Sequence, residues 1–170
     1  MKKLYSSLIA MVALIVCASL AAGGTFPSWE KKFNTPARFL VLTQFGSAAV
    51  LDKETGLVWE QSPSTSTFSW VAALGHCNVL TTGGRLGWRL PTLQELASLV
   101  DPNAAGAPFL PAGHPFSNVQ SSFYWSASTL AFDTSFAWGV HFDFGVVSND
   151  VKGNGHFVWC VRAGQGVDPS

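Results

Sequence analysis

The run Trp88-Arg89-Leu90-Pro91-Thr92-Leu93-Gln94-Glu95-Leu96 is the best-punctuated stretch of this chain. Glu95 follows Thr92 by three positions, the T-x-x-E spacing in which a hydroxyl and a carboxylate each satisfy one backbone N–H at a helix start. Pro91 stands just before it. Leu93, Leu96, Leu99 and Val100 supply the apolar stripe of this helix, and Asp101-Pro102 ends it. Upstream, Ser69 is placed to cap an earlier helix whose Trp70, Ala73, Leu74, Cys77 and Leu80 recur at helical spacing, so the cysteine lies on the buried face. Thr82-Gly83-Gly84 stops that helix. Two helices therefore occupy the centre of the sequence.

Short apolar or aromatic runs flank them on both sides. Phe39-Leu40-Val41-Leu42, Ala49-Val50-Leu51 and Leu57-Val58-Trp59 read as an early hairpin, with Gly56 closing the turn Asp52-Lys53-Glu54-Thr55-Gly56 at positive φ. Downstream, Phe123 to Ser128, Ala137 to Phe142, Val146-Val147 and Phe157 to Arg162 read as an antiparallel meander. Between helices and meander, residues 102 to 122 are rich in Pro, Gly, Ala and Asn. A loop of that length is either functional or packed as an irregular flap. Six of the seven tryptophans, Trp59, Trp70, Trp88, Trp125, Trp138 and Trp159, stand at helix or strand positions that favour burial, which leaves one or two at most as ligand platforms. Arg89 is expected to bond to backbone carbonyls or to Glu95. Ser126 and Ser128 share one strand face and are expected to hydrogen-bond a neighbouring loop.

The N-terminus has a different character. Met1-Lys2-Lys3 followed by the apolar run Leu8 to Leu20 reads as a signal peptide, residues 1 to 21, with Ser19 and Ala21 at the small-residue cleavage positions. A lipid anchor at Cys17 is the rival reading, disfavoured by the bulk of Val16 and by the apolar sequence beyond the cysteine. Residues 22 to 37 form a loose arm, 38 to 165 a single domain and 166 to 170 a tail. No membrane span remains after cleavage, and the expected location is secreted, periplasmic or at a bacterial cell surface. The full chain carries ten Lys and Arg against ten Asp and Glu. Loss of Lys2 and Lys3 leaves it slightly acidic, which weighs against nucleic acid and against broad polyanion binding. Cys77 and Cys160 remain, and an even count in an exported chain is most simply a disulfide. A reactive or metal-binding thiol needs neighbours that neither cysteine shows in sequence.

The order Asp52, Thr55-Gly56-Leu57-Val58-Trp59, Trp70, Cys77, Trp88-Arg89-Leu90-Pro91-Thr92, Glu95-Leu96, Tyr124-Trp125-Ser126, Ala137-Trp138 and Cys160-Val161-Arg162 resembles the DUF1566 family. That family includes the C-terminal domain of the Legionella collagen-like adhesin, and the resemblance spans about residues 48 to 164. It implies an α+β, C-type-lectin-like fold, with two helices packed on a twisted antiparallel sheet and Cys77 paired with Cys160. It also implies an exported bacterial protein, and the adhesin's binding of sulfated polysaccharides suggests a glycan ligand.

Candidate chemistry is sparse. His141 and Asp143 leave a strand by the same face and could hold a cation with His156 or Asp150, although a solvated strand face is the simpler account. Asn149-Asp150 resembles the Asn-Asp pair of calcium-dependent lectins, but Ser148 replaces their tryptophan and too few oxygens gather for calcium, so the pair reads as a turn. There is no G-x-S-x-G block, and the four histidines lack companions for a nucleophilic triad. The expectation is a non-catalytic binding module with no cofactor and no metal, recognising a glycan or a surface protein through its loops. Phe116, Asn118, Phe132, Asp133, His141, Asp143, Asn149 and Asp150 are the candidate contacts. The alternatives are a structural or assembly subunit of a surface complex, with Phe132 and Phe136 at its interface, and a hydrolase using His141 and Asp143. The Lys and Arg residues are scattered in sequence, so weak heparin retention is expected.

Overall fold

The computed structural model describes residues 38–164. The expectations for the leader, Cys17, the arm at 22–37 and the tail at 166–170 lie outside the described residues. Seven strands and two α-helices follow in order among these residues, with short 3-10 turns at Thr43–Phe45 and Thr82–Gly84. Strands β1 (Phe39–Val41), β2 (Ala49–Asp52) and β3 (Leu57–Glu60) precede helices α1 (Trp70–Asn78) and α2 (Leu93–Ala97). Strands β4 (Phe123–Thr129), β5 (Phe136–His141), β6 (Val146–Val151) and β7 (Val161–Ala163) complete them.

The strands form two antiparallel sheets rather than the single sheet expected, ordered β1-β2-β3-β7 and β4-β5-β6. The expected meander is therefore wrong at its last member. Trp59 pairs with Val161 and Val58 with Arg162, so β7 closes the N-terminal sheet. The cause lies in the segment just before β7. Phe157 N–H donates to the Phe123 carbonyl and Trp125 N–H to the Phe157 carbonyl, while the Cys160 carbonyl accepts from Glu60 N–H. This segment starts against β4 in one sheet and ends against β3 in the other. The outer side of β7 is covered by Arg89, whose backbone exchanges two hydrogen bonds with Val161 at 2.8 and 2.9 Å.

Both helix starts were expected, and one is built as the sequence indicates. Thr92 Oγ1 accepts from Glu95 N–H at 3.2 Å and Glu95 Oε2 accepts from Thr92 N–H at 2.8 Å, completing the capping box. Arg89 holds both carboxylate oxygens of Glu95 at 2.7 Å, which fixes the Trp88-Leu90 approach to α2. Ser69 occupies the N-cap of α1 without a side-chain capping bond. The α1 helix presents Ala73 and Cys77 to the core, and Cys77 is joined to Cys160 with Cα atoms 5.5 Å apart. Closing this loop of 83 residues removes denatured-state entropy worth about 4.5 kcal/mol as an upper figure.

Trp59, Trp88, Trp125 and Trp159 are fully buried, and Trp159 packs against Trp59, Phe116, Tyr124 and Phe142. Two acidic side chains share this interior. Asp52 is saturated by Arg38 Nε and Nη2, Glu54 N–H and Thr55 Oγ1, and Arg38 Nη2 also donates to the Ser98 carbonyl. Glu60 has no such cation among the described residues. Only 6% exposed, it accepts from Cys160 N–H at 3.0 Å and from Thr82 Oγ1 at 3.4 Å. Burial pushes its carboxyl up to about 7, the two hydrogen bonds opposing only part of that rise.

Because the folded state holds this proton more tightly than the unfolded chain, Glu60 favours the fold most at mildly acidic pH. That contribution is lost as pH rises from the ordinary carboxyl range through about 7, at roughly 1.4 kcal/mol per pKa unit. Glu60→Gln keeps an acceptor for Cys160 N–H and removes the charge. Its melting temperature should exceed that of the unaltered protein at pH 8 and match it near pH 4.5, as followed by circular dichroism.

Candidate functional site

The β4-β5-β6 sheet alternates its side chains between two faces, and the cross-strand register assigns each residue to one of them. Phe123, Gly139 and His141 share one face, with Phe123 opposite His141 and Trp125 opposite Gly139. Any Cβ at Gly139 would collide with the Phe123 ring and the Tyr124 carbonyl oxygen, so the glycine admits the ring against the strand. The rings of His141 and His156 flank Phe123 at 4.8 and 4.4 Å between centroids.

Each of these histidines is committed to one carboxylate. His141 Nδ1 lies 3.0 Å from Asp143 Oδ1, and His156 Nε2 lies 2.7 Å from Asp150 Oδ2. Asp150 also accepts from Asn154 Nδ2 and from Val151 N–H, and these bonds, the Asn154 bond foremost, hold its carboxyl below the usual range. Among the described residues no three His, Cys, Asp or Glu side chains converge on a point that could hold a metal ion. Asn149-Asp150 is not a turn. Both residues lie within β6, paired with Trp138 and Ala137.

The other face carries a different surface. Phe136, Trp138, Val147, Asn149 and Val151 lie on it, with Asn149 directly across from Trp138. The β4-β5 connection rises beside them. There Asp133 Oδ1 accepts from Ser135 N–H at 3.0 Å and from Ser135 Oγ at 2.6 Å, which tightens the turn and holds the Asp133 carboxyl below its ordinary value. The turn leaves Phe132 87% exposed. Leu130, Phe132, Asp133, Phe136 and Asn149 line a cleft of about 270 Å³. Three of the eight candidates, Phe132, Asp133 and Asn149, meet there.

The remaining candidates do not join them. Phe116 is 7% exposed, its ring edge-on to Phe39 and Trp159, so the expectation of a ligand platform is corrected to a core role. Asn118 adopts φ 56° and spends its amide on Ser62 Oγ, shaping the loop. The loop itself is strapped down rather than open. Leu110, Pro111 and Phe116 are buried, Gln61 Nε2 donates to the Pro115 carbonyl, and Phe109 N–H donates to the Phe142 carbonyl. His141, Asp143 and Asp150 lie on the opposite sheet face or at its end.

Leu130 and Phe136 complete the cleft and were not among the candidate ligand contacts. Trp138 lies on the same sheet face, across from Asn149. Of the six described tryptophans only Trp70 and Trp138 are partly exposed, and Trp70 is covered by Lys152 Nζ, 3.9 Å above its ring, while its Nε1 donates to the Ser126 carbonyl. Ser126 Oγ donates to the Trp138 carbonyl and Ser128 Oγ accepts from Leu93 N–H, so these serines bond a neighbouring strand and a helix start rather than a loop.

A family model described as the Lcl C-terminal domain matches residues 48–162, well over half of the chain. The chain belongs to the Lcl C-terminal domain family. No curated protein matches it. The matched span starts just before β2 and ends within β7, so it contains both helices, the disulfide and the cleft. Among the described residues no helix is long and apolar enough to cross a membrane.

The basic residues of this Lcl-type domain are mostly spent on structure. Arg38 and Arg89 are ion-paired, whereas Arg85 and Arg162 converge on the Phe45 ring, 5.6 and 5.4 Å from its centroid. This pairing was invisible in sequence, but two guanidiniums do not make a polyanion track. Heparin chromatography at about 0.15 M salt, where screening acts over roughly 8 Å, should show weak retention or none. Retention that is strong and disappears in Arg85→Ala/Arg162→Ala would contradict this account.

Proposed function

We propose that this chain is an exported, non-catalytic binding module on a C-type-lectin-like scaffold, and that it recognises a glycan or a surface protein in an adhesive or envelope role. Membership of the Lcl C-terminal domain family supports an adhesin-like module. The disulfide and the want of a spanning helix among the described residues are consistent with an extracellular setting. The lectin-like reading draws on three features together. A helix is bridged to the segment before the last strand, that strand returns to pair with an early hairpin, and a second three-stranded sheet stands in sequence between the helices and that strand.

The observation that carries the binding reading is the cleft below Phe132. An aromatic ring 87% exposed, above an apolar floor and beside an amide and a carboxylate, combines the groups that fix a small polar ligand. The non-catalytic reading draws on the histidines. His141 and His156 are each bonded to a single carboxylate, and among the described residues neither hydrogen-bonds a hydroxyl or thiol that it could activate.

A glycan array and a peptide-display screen on the same purified protein separate the two ligand classes. Phe132→Ala should weaken the selected ligand by about tenfold or more while leaving the melting temperature unchanged, because the ring packs on nothing that holds the fold. Undiminished binding by Phe132→Ala, Asp133→Ala and Asn149→Ala variants would overturn the placement of the site.

A further inference from the structure

We infer that the cleft takes an uncharged or amine-bearing pyranose ring in preference to sulfated and carboxylated ones, with Asp133 as the residue that sets this preference. The inference rests on the glycan form of the proposed function and names the ligand class of the same site.

Size comes first. A cleft of about 270 Å³ lies just below the range of roughly 300–1,000 Å³ that holds drug-sized ligands, which is room for one pyranose ring. The walls then select the kind of ring. Leu130 and Phe136 give an apolar floor and Phe132 an open aromatic face, against which the C–H face of a pyranose packs while its hydroxyls stay at the edge. A flat hydrocarbon would leave the polar rim unpaired.

That rim consists of Asn149 and Asp133. Half-buried on β6, Asn149 makes no side-chain hydrogen bond to another described residue, so its amide offers a donor and an acceptor to a pair of adjacent hydroxyls. Asp133 differs. Its Oδ1 is taken by Ser135 N–H and Oγ, while Oδ2 remains open as an acceptor for a hydroxyl or an ammonium group. The same two bonds hold its carboxyl below the ordinary aspartate range, and like any exposed aspartate it is ionised at neutral pH. No Lys, Arg or His lines the cleft. A sulfate or carboxylate brought to this rim meets a like charge with no cation to offset it.

Isothermal titration calorimetry on the mature full chain tests this with methyl pyranosides of varied hydroxyl stereochemistry, each compared with its 2-amino and 6-O-sulfated forms. The neutral and amino members should bind about threefold more tightly than the sulfated ones at low salt. Phe132→Ala and Asn149→Ala should each lose about tenfold in affinity. Asp133→Asn, which keeps an acceptor for Ser135, should narrow the preference for neutral over sulfated ligand by about threefold at low salt, an exposed charge being worth little more. Tighter binding of the sulfated members, or unchanged affinity in the Phe132 and Asn149 variants, would overturn the inference while leaving the glycan reading intact. An unchanged preference in Asp133→Asn would remove Asp133 from its role. Failure of every pyranoside and every arrayed glycan to bind would overturn both.

Discussion

The segment from Phe157 to Val161 is the constraint on which the other elements depend. Its backbone bonds to β4 at one end and to β3 and Arg89 at the other, and Cys160 in its middle is bridged to α1. Trp159 Nε1 donates to the Glu60 carbonyl while its ring fills the space between Trp59, Phe116 and Phe142. Five consecutive residues thus couple two sheets and a helix through main-chain bonds, side-chain packing and a covalent link. The β4-β5-β6 sheet can project a turn into solvent because it is held at its β4 edge by this segment and by α2.

The two interior carboxylates show how differently the same charge is accommodated. Asp52 ties the start of β1 to the β2-β3 turn and, through Arg38, to the end of α2; removal of one partner would leave a buried charge, a cost of about 3–5 kcal/mol. Glu60 sits beside the disulfide with hydrogen bonds but no cation, and responds by holding its proton to a higher pH. Neither group opens onto the cleft lining. Charge at the cleft comes from Asp133 alone, at the surface.

Much of the scaffold was legible because local chemistry decides it. The capping box at Thr92 and Glu95, the Arg89 grip on Glu95 and the positive φ at Gly56 each follow from residue type and short spacing, and the Cys77–Cys160 pair from the even cysteine count despite its separation of 83 residues. The partner of β7 did not follow. A run such as Phe157-Val158-Trp159-Cys160-Val161 is apolar on both sides, and periodicity cannot say which of two sheets it closes. Phe116 was misjudged for a related reason, since a Pro- and Gly-rich loop reads as open whether or not it is strapped to Gln61. Asn149-Asp150 looked like a turn by composition, yet pairing with Trp138 and Ala137 draws both into β6. Phe132, Asp133 and Asn149 could be named singly, but their meeting depends on the register of β5 against β6. The Trp138 and Asn149 pairing is the signal that would have joined them.

The most direct test of the cleft as the binding surface is an amide and indole ¹H–¹⁵N spectrum of the protein titrated with whichever ligand the array or display screen selects. Shift changes should gather at residues 130–136 and 147–151 and at the Trp138 indole N–H. Changes confined to residues 102–122, or centred on His141 and Asp143, would contradict the account.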